Sequence, residues 1–224
     1  TFAGVWQEDD VNAPFVDANG QTNGKTNGEV YKVKPGNSKY VDVNKDGVYN
    51  DADQGIIGCG QPTFNWGWNN TFNYKNFDFS FFVVGFHGFD IYNATHQMGY
   101  NLIKSQQMAG VTPMRELLNR WTPTNTNTDI PGFVKGGTEN KDFFSTRFVE
   151  NGSFIKMKSI TLGYTLPEAT CRSLGINNLR VYASVQNPFH ITKYSGLDPE
   201  ATMGSPLVQG VDWGAYPNSR NYLI

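Results

Sequence analysis

The sequence predicts an all-β fold: an antiparallel sheet of the transmembrane β-barrel kind. Three observations lead there. The chain of 224 residues is 14% aromatic, only 17% charged and carries 24 glycines, a balance that favours strands joined by many turns. Phe64, Trp66, Trp68, Phe72 and Tyr74 alternate with Asn65, Gly67, Asn69, Thr71 and Asn73. Successive strand side chains point to opposite faces, so one face is aromatic and the other small and polar. A soluble sheet turns such an apolar face inward, and a barrel turns it outward into lipid around a polar lumen. The third observation favours the barrel: short connections (75–76, and more loosely 167–178) alternate with long ones (8–63, 86–145, 187–218). Outer-membrane barrels sort their connections this way, and a soluble sandwich has no reason to.

In chain order, residues 1–7 read as a short strand and 8–41, rich in Asn, Gly and Lys, as a long loop. The aromatic strand 64–74 follows the acidic segment 42–53. Lys75-Asn76 is a tight turn into a second strand, Phe77 to Gly85, whose apolar row is Phe77, Phe79, Phe81 and Val83. Two long strands on so short a turn make a hairpin. The connection 86–145 is long enough to suggest function. It holds one predicted helix, Thr112 to Trp121, with Thr112 as cap and Pro113 in its first turn. Alternation returns from Phe154 to Leu166, with Ile160, Leu162, Tyr164 and Leu166 on one face. After a turn, Leu179, Val181, Ala183 and Val185 alternate with Arg180, Tyr182, Ser184 and Gln186. A last strand starts at Ser219.

Composition excludes some classes. A net charge of -2 gives no electrostatic case for nucleic acid. No run approaches the ~18 apolar residues of a membrane helix, and the mean hydropathy of -0.47 is compatible with barrel strands, whose alternation averages out as polar. The chain has no initiating Met or signal peptide and stops apparently inside a strand, so it reads as a fragment. Cys59 and Cys171 read as unpaired thiols. His87, His96 and His190 lack metal or catalytic spacing, Glu8-Asp9-Asp10 reads as a solvated patch, and no GxSxG, P-loop or dinucleotide fingerprint occurs, so no enzyme is expected.

One segment has the spacing of a calcium loop. Asp42, Asn44 and Asp46 occupy positions 1, 3 and 5 of an EF-hand-like pattern, Gly47 the turning position 6, Val48 offers a carbonyl at 7, Asn50 stands at 9 and Asp53 at 12. Calcium takes six to eight oxygens, and this set supplies about that many, although Asp53 is shorter than the usual Glu. An Asx-rich turn without metal fits the same residues. Trp121, Phe189, Trp213 and Tyr216 fall in predicted loops, where aromatic faces can stack on sugars, pack the loop or meet a partner.

Several blocks together resemble the SusC/RagA family of TonB-dependent outer-membrane transporters of Bacteroidota. These are Asp42 to Gly47, Ile56-Ile57-Gly58, Phe64 to Phe72, Tyr74 to Asp78, Gly88 to Asn93, Arg120-Trp121-Thr122-Pro123 and Asp129-Ile130-Pro131. Ile160 to Pro167, Leu179 to Tyr182, Gln186-Asn187, Tyr194 to Glu200 and Gly214 to Pro217 continue the series. The resemblance spans nearly the whole chain and implies that residues 1–224 are the C-terminal part of a plugged barrel of about 22 strands, here about its last six, with long extracellular loops. The plug and earlier strands are absent. It further implies a multi-pass location in the Gram-negative outer membrane and import of glycans, or sometimes oligopeptides. A SusD-like surface lipoprotein is the implied lid, and the TonB complex, reached through the missing N-terminal region, the energy source. The alternative is a soluble calcium-binding β-sandwich serving as a carbohydrate-binding module. In that case Trp66, Trp68 and Phe72 pack against a second sheet.

Overall fold

The computed structural model describes residues 1–100, 114–132, 144–203 and 209–224. They form two compact units, residues 1–57 with 93–149 and residues 58–92 with 150–224.

In the first unit β1 (Phe2–Val5) pairs with β4 (Ser38–Tyr40), and β2 (Pro14–Val16) with β3 (Thr22–Thr26). Short helices span Glu8–Asn12 and Asn27–Tyr31. The stretch expected to be loop is therefore structured. Its elements are three to five residues long, too short for periodicity to show. One signal was present: Thr26-x-x-Glu29 forms a capping box, in which each side chain accepts the other residue's backbone N–H. Val5, Trp6, Phe15 and Val33 are buried here, and so are Leu117, Ile130 and Phe148 of the second segment. The expected helix 112–121 is a 3-10 turn over Arg115–Asn119, and Thr112 and Pro113 lie outside the described residues.

The second unit is built on β5 (Phe64–Tyr74) and β6 (Phe77–His87), each of 11 residues. They are followed by β7 (Asp90–Asn93), β8 (Val149–Asn151), β9 (Phe154–Thr165), β10 (Arg180–Gln186), β11 (His190–Thr192), β12 (Val211–Asp212) and β13 (Asn221–Leu223). One antiparallel sheet runs β13-β10-β9-β6-β5, with β11 also on β9; a small sheet runs β12-β7-β8. Lys75 takes φ 53 at the β5–β6 turn. A helix over Glu168–Ser173, with Gly175 at φ +72 just beyond it, joins β9 to β10. The pairs Phe64↔His87, Phe86↔Phe154 and Gln186↔Asn221 put every long connection at one end of the sheet and both short ones at the other.

The register builds rows across the sheet. Phe72, Phe79, Leu162 and Ala183 form one apolar row, and Tyr74, Phe77, Tyr164 and Val181 another. On the opposite face Thr71, Ser80, Thr161 and Ser184 line up. Asn70, half-buried opposite Phe81, interrupts the aromatic row of its strand. That face is open: Trp68 and Phe72 are each 54% exposed and Tyr74 70%. A sandwich would cover these rings, and among the described residues nothing does. Ten steps of ~3.4 Å, tilted by about 40°, give a height of about 26 Å, close to the ~25 Å apolar band of an outer-membrane barrel. Its two ends carry ring clusters. At one, Phe77 meets Tyr164 at 4.6 Å. At the other, the Trp66 indole N–H donates to His87 at 3.2 Å, lying where a side chain on Gly85 would collide with it at 2.3 Å.

β9 does not alternate evenly. Phe82 faces Ser159 but Val83 faces Met157, so Lys158 is an extra residue in a bulge. The bulge exchanges the faces. Ile160 and Leu162 share the aromatic side with Met157 and Ile155, while Lys156 and Phe154 join the polar side.

Candidate functional site

The polar face has two zones. Near the short turns, Thr161 and Ser184 hydroxyls lie 2.8 Å apart. Arg180 grips Asp78 with both arms of its fork, at 3.0 and 2.6 Å. Gly163 makes room for this pair, since a Cβ there would fall 2.4 Å from Asp78 Oδ1. Arg180 shares the face of Ser184 and Thr161, opposite the aromatic one.

Past the bulge the same face is covered by its own connections. Phe154 stacks on Phe86 at 5.1 Å and clusters with Phe89, Ile91 and Tyr194. Lys156, 2% exposed, reaches Asp198 Oδ2 and Glu200 Oε2, both at 2.7 Å, and Lys158 pairs with the other Glu200 oxygen. Asp198 also accepts the backbone N–H groups of Glu200 and Asn218. Burial works to raise the carboxyl groups of Asp198 and Glu200, but the Lys156 ammonium and the other donors prevail and hold both below the usual carboxylate range. The segment 194–200 is thereby strapped over the sheet. Breaking such a pair on one side leaves a buried charge, a loss of about 3–5 kcal/mol.

A second tie fixes the candidate ligand aromatics. The Tyr194 hydroxyl donates to Asp212 Oδ2 at 2.5 Å. Burial and then that carboxylate push the phenol well above its ordinary value, so it remains a donor. Asp212 Oδ1 accepts the N–H groups of Gly214 and Ala215, closing a turn that leaves Trp213 58% and Tyr216 91% exposed. Phe189 is also exposed, but its carbonyl accepts the Met157 N–H, which sets it opposite Met157 on the aromatic face. Trp121 lies in the other unit. Its indole N–H donates to Gln7 at 3.0 Å, and its ring covers Gly36, whose φ is +91; it is a packing residue.

The loop 42–53 is closed by its own hydrogen bonds. Asp42 accepts the N–H groups of Lys45 and Gly47 and the Tyr31 hydroxyl at 2.9 Å. Gly47, at φ +83, lies against Val30, where a Cβ would come within 2.3 Å. Asp53 accepts from Val43 and Asn50; the Asn50 N–H first, with the Val43 N–H adding to it, holds its carboxyl below the usual range. Asn44 and Asp46 bond each other. The donor chemistry and spacing suit a hard cation, yet among the described residues no three His, Cys, Asp or Glu side chains converge as a metal site. Cys59 is a free, exposed thiol and Cys171 a free, buried one. Sequence reasoning gave no role to the strap residues Lys156, Asp198 and Glu200; a lysine inside an apolar run and the block Tyr194 to Glu200 were the signals available.

Comparison with known proteins decides the family. No family model matches the chain. TonB-dependent receptor P3 of Formosa agariphila is 36% identical over 196 residues, which cover 85% of this chain and 18% of that protein. TonB-dependent receptor SusC of Bacteroides thetaiotaomicron is 31% identical over 193 residues, covering 85% and 17%. The chain is a portion of a SusC/RagA-type TonB-dependent transporter. It spans less than a fifth of the length of these relatives. Among solved structures, the RagAB peptide transporter superposes with a TM-score of 0.64 at 26% identity, over 78% of this chain and 18% of that one. The RagAB peptide importer in its closed-closed state gives 0.64 at 24% identity, over 99% and 21%, and speaks for the fold alone. The sheet described above is thus a fragment of a SusC/RagA-type barrel wall. The relatives are named as receptors and transporters, not as enzymes.

Proposed function

We infer that this chain is part of an outer-membrane, multi-pass importer that works with a SusD-like surface lipoprotein and draws energy from the TonB complex. The observation that carries the reading is the open aromatic face opposite a hydroxyl- and amide-lined one, on strands long enough to span an outer membrane. The aromatic face meets lipid, and Thr71, Ser80, Thr161 and Ser184 line the water-filled side. The family names of the relatives support the same reading. The cargo is an oligomer, either glycan or oligopeptide. Import breaks no bond in it; the work is selective affinity and gating. Trp213 and Tyr216, held by the Asp212 turn, are the proposed contacts to cargo or lid.

Calcium belongs to the same proposal. Asp42, Asn44, Asp46, Val48, Asn50 and Asp53 would hold it, stiffening residues 42–53. The ion would supply only charge and rigidity there. Terbium luminescence excited through Tyr49 and Trp6 tests this: calcium-displaceable emission supports the site, and none refutes it.

The test of the function is uptake. Cells lacking the full-length gene are supplied with labelled oligosaccharides and oligopeptides. Loss of uptake of one class, restored by the gene, supports import and names the cargo. Unchanged uptake of both refutes the reading.

A further inference from the structure

Three separate sequence blocks, Gln186-Asn187, Tyr194 to Glu200 and Gly214 to Pro217, converge on one turn, residues 212–218. Its first end is held at Asp212. One carboxylate oxygen takes the Tyr194 hydroxyl at 2.5 Å, and the other takes the Gly214 and Ala215 N–H groups at 2.8 and 2.9 Å. Its far end is held at Asn218 and Ser219. The Asn218 backbone N–H donates to Asp198 at 3.2 Å and its side-chain amide to Glu200 at 2.9 Å. The Asn187 side-chain amide donates to the Ser219 carbonyl at 3.0 Å.

The holders are themselves anchored. Asp198 and Glu200 each lie 2.7 Å from the Lys156 ammonium. The Asn187 backbone N–H donates to the carbonyl of the bulge residue Lys158 at 2.9 Å. The Tyr194 ring belongs to the apolar cluster with Phe89, Ile91 and Phe154. Both ends of the turn therefore rest on the start of β9 and its bulge, which is the wall itself. Between the ends Gly214 turns the chain at φ +87, and Trp213 and Tyr216 stand 58% and 91% exposed. The polar side chains of the holders are engaged inward, so the two rings are what the turn offers a ligand. Ordering a loop at the moment of binding costs affinity, and a loop ordered beforehand avoids that cost.

We propose that Tyr194 and Asn218 are positioning residues for import: they hold the turn at its two ends and thereby keep Trp213 and Tyr216 in place for incoming cargo. The inference rests on the reading of those two rings as import contacts.

The experiment follows uptake of labelled oligosaccharide and oligopeptide mixtures over a range of concentrations, in cells carrying the full-length gene. Rates are normalised to folded protein in the outer membrane. Tyr194→Phe leaves the ring in its apolar cluster and removes only the hydroxyl. Asn218→Ala, at an exposed position, keeps the backbone bond to Asp198. Each is expected to raise the half-saturating concentration about five-fold, because binding must then order the turn, while the maximal rate stays within about two-fold. A merely structural tie would instead lower the amount of folded protein and leave half-saturation where it was. A nitroxide on Tyr216→Cys reads the turn directly, and its spectrum is expected to sharpen when either tie is removed. Wild-type uptake with unchanged half-saturation in either variant, a fall confined to the maximal rate, or an unchanged nitroxide spectrum overturns this proposal alone. No uptake of either mixture by the wild type overturns the import reading with it.

Discussion

Placing an arginine on the aromatic face at Leu162 separates a lipid-facing wall from a sheet in water. Leu162 is 51% exposed and pairs with Phe79 and Ala183. It lies one row from Ile160, Phe81 and Val185, which are midway between the two ring clusters. One row is two residues, or about 5 Å of height after tilt. An arginine near the bilayer midplane of a barrel costs ~2–4 kcal/mol and one near the interface ~0–1, so Leu162→Arg should cost about 2 kcal/mol. That lowers the folded-to-unfolded ratio about 30-fold. In water a half-exposed leucine replaced by arginine changes stability by about 0.5 kcal/mol at most. Asn69→Arg, on the opposite face beside Phe82, is the control and should stay within that range. The assay is urea titration of the full-length protein in phospholipid vesicles, followed by heat-modifiable gel mobility. Leu162→Arg proving as harmless as Asn69→Arg would refute the reasoning.

Three further outcomes follow from the site geometry. Asp198→Ala leaves Lys156 with one buried partner and should loosen the strap by about 3 kcal/mol, read as faster protease cleavage within 194–200. The carboxyl groups of Asp198 and Glu200 sit below their ordinary range. Their contribution is therefore full above about pH 5, where both groups are ionised in the unfolded chain as well, and fades as pH falls through the lowered values. Hydrogen exchange at the Glu200 and Asn218 amides, corrected for intrinsic rate, should lose protection only in that acid window; loss near neutrality would contradict the assignment. Gly47→Ala forces an L-residue to φ +83 against Val30, costing about 1–2 kcal/mol for the backbone alone. It should weaken terbium binding without changing the sheet's circular dichroism.

The long strands were legible because each obeys one period over many residues. Phe64 to Tyr74 matches its observed limits, and Phe77 to Gly85 falls two residues short of His87. Two things were not legible. The exchange of faces in β9 depends on a single extra residue at Lys158, and a bulge has no composition of its own beyond the local sequence. The small elements between residues 8 and 41 are set by caps and turns rather than by pattern. The candidate aromatics show the same division. All four were expected from residue type alone, but Trp121 is drawn into packing over Gly36, Phe189 is turned to the aromatic face by its pairing with Met157, and Trp213 and Tyr216 are left exposed by the Asp212 turn.

The central claim is that the aromatic face meets hydrocarbon and the polar face meets water. Spin labels placed singly along β6 and β9 of the full-length protein in membranes test it directly, by collision with oxygen dissolved in lipid and with a water-soluble nickel chelate. Labels at positions 79, 81, 160 and 162 should favour oxygen and those at 80, 159 and 161 nickel, with the alternation slipping by one residue across Lys158, so that 155 and 157 again favour oxygen. Nickel access at 79, 81 and 162 equal to that at 80 and 161 would contradict it.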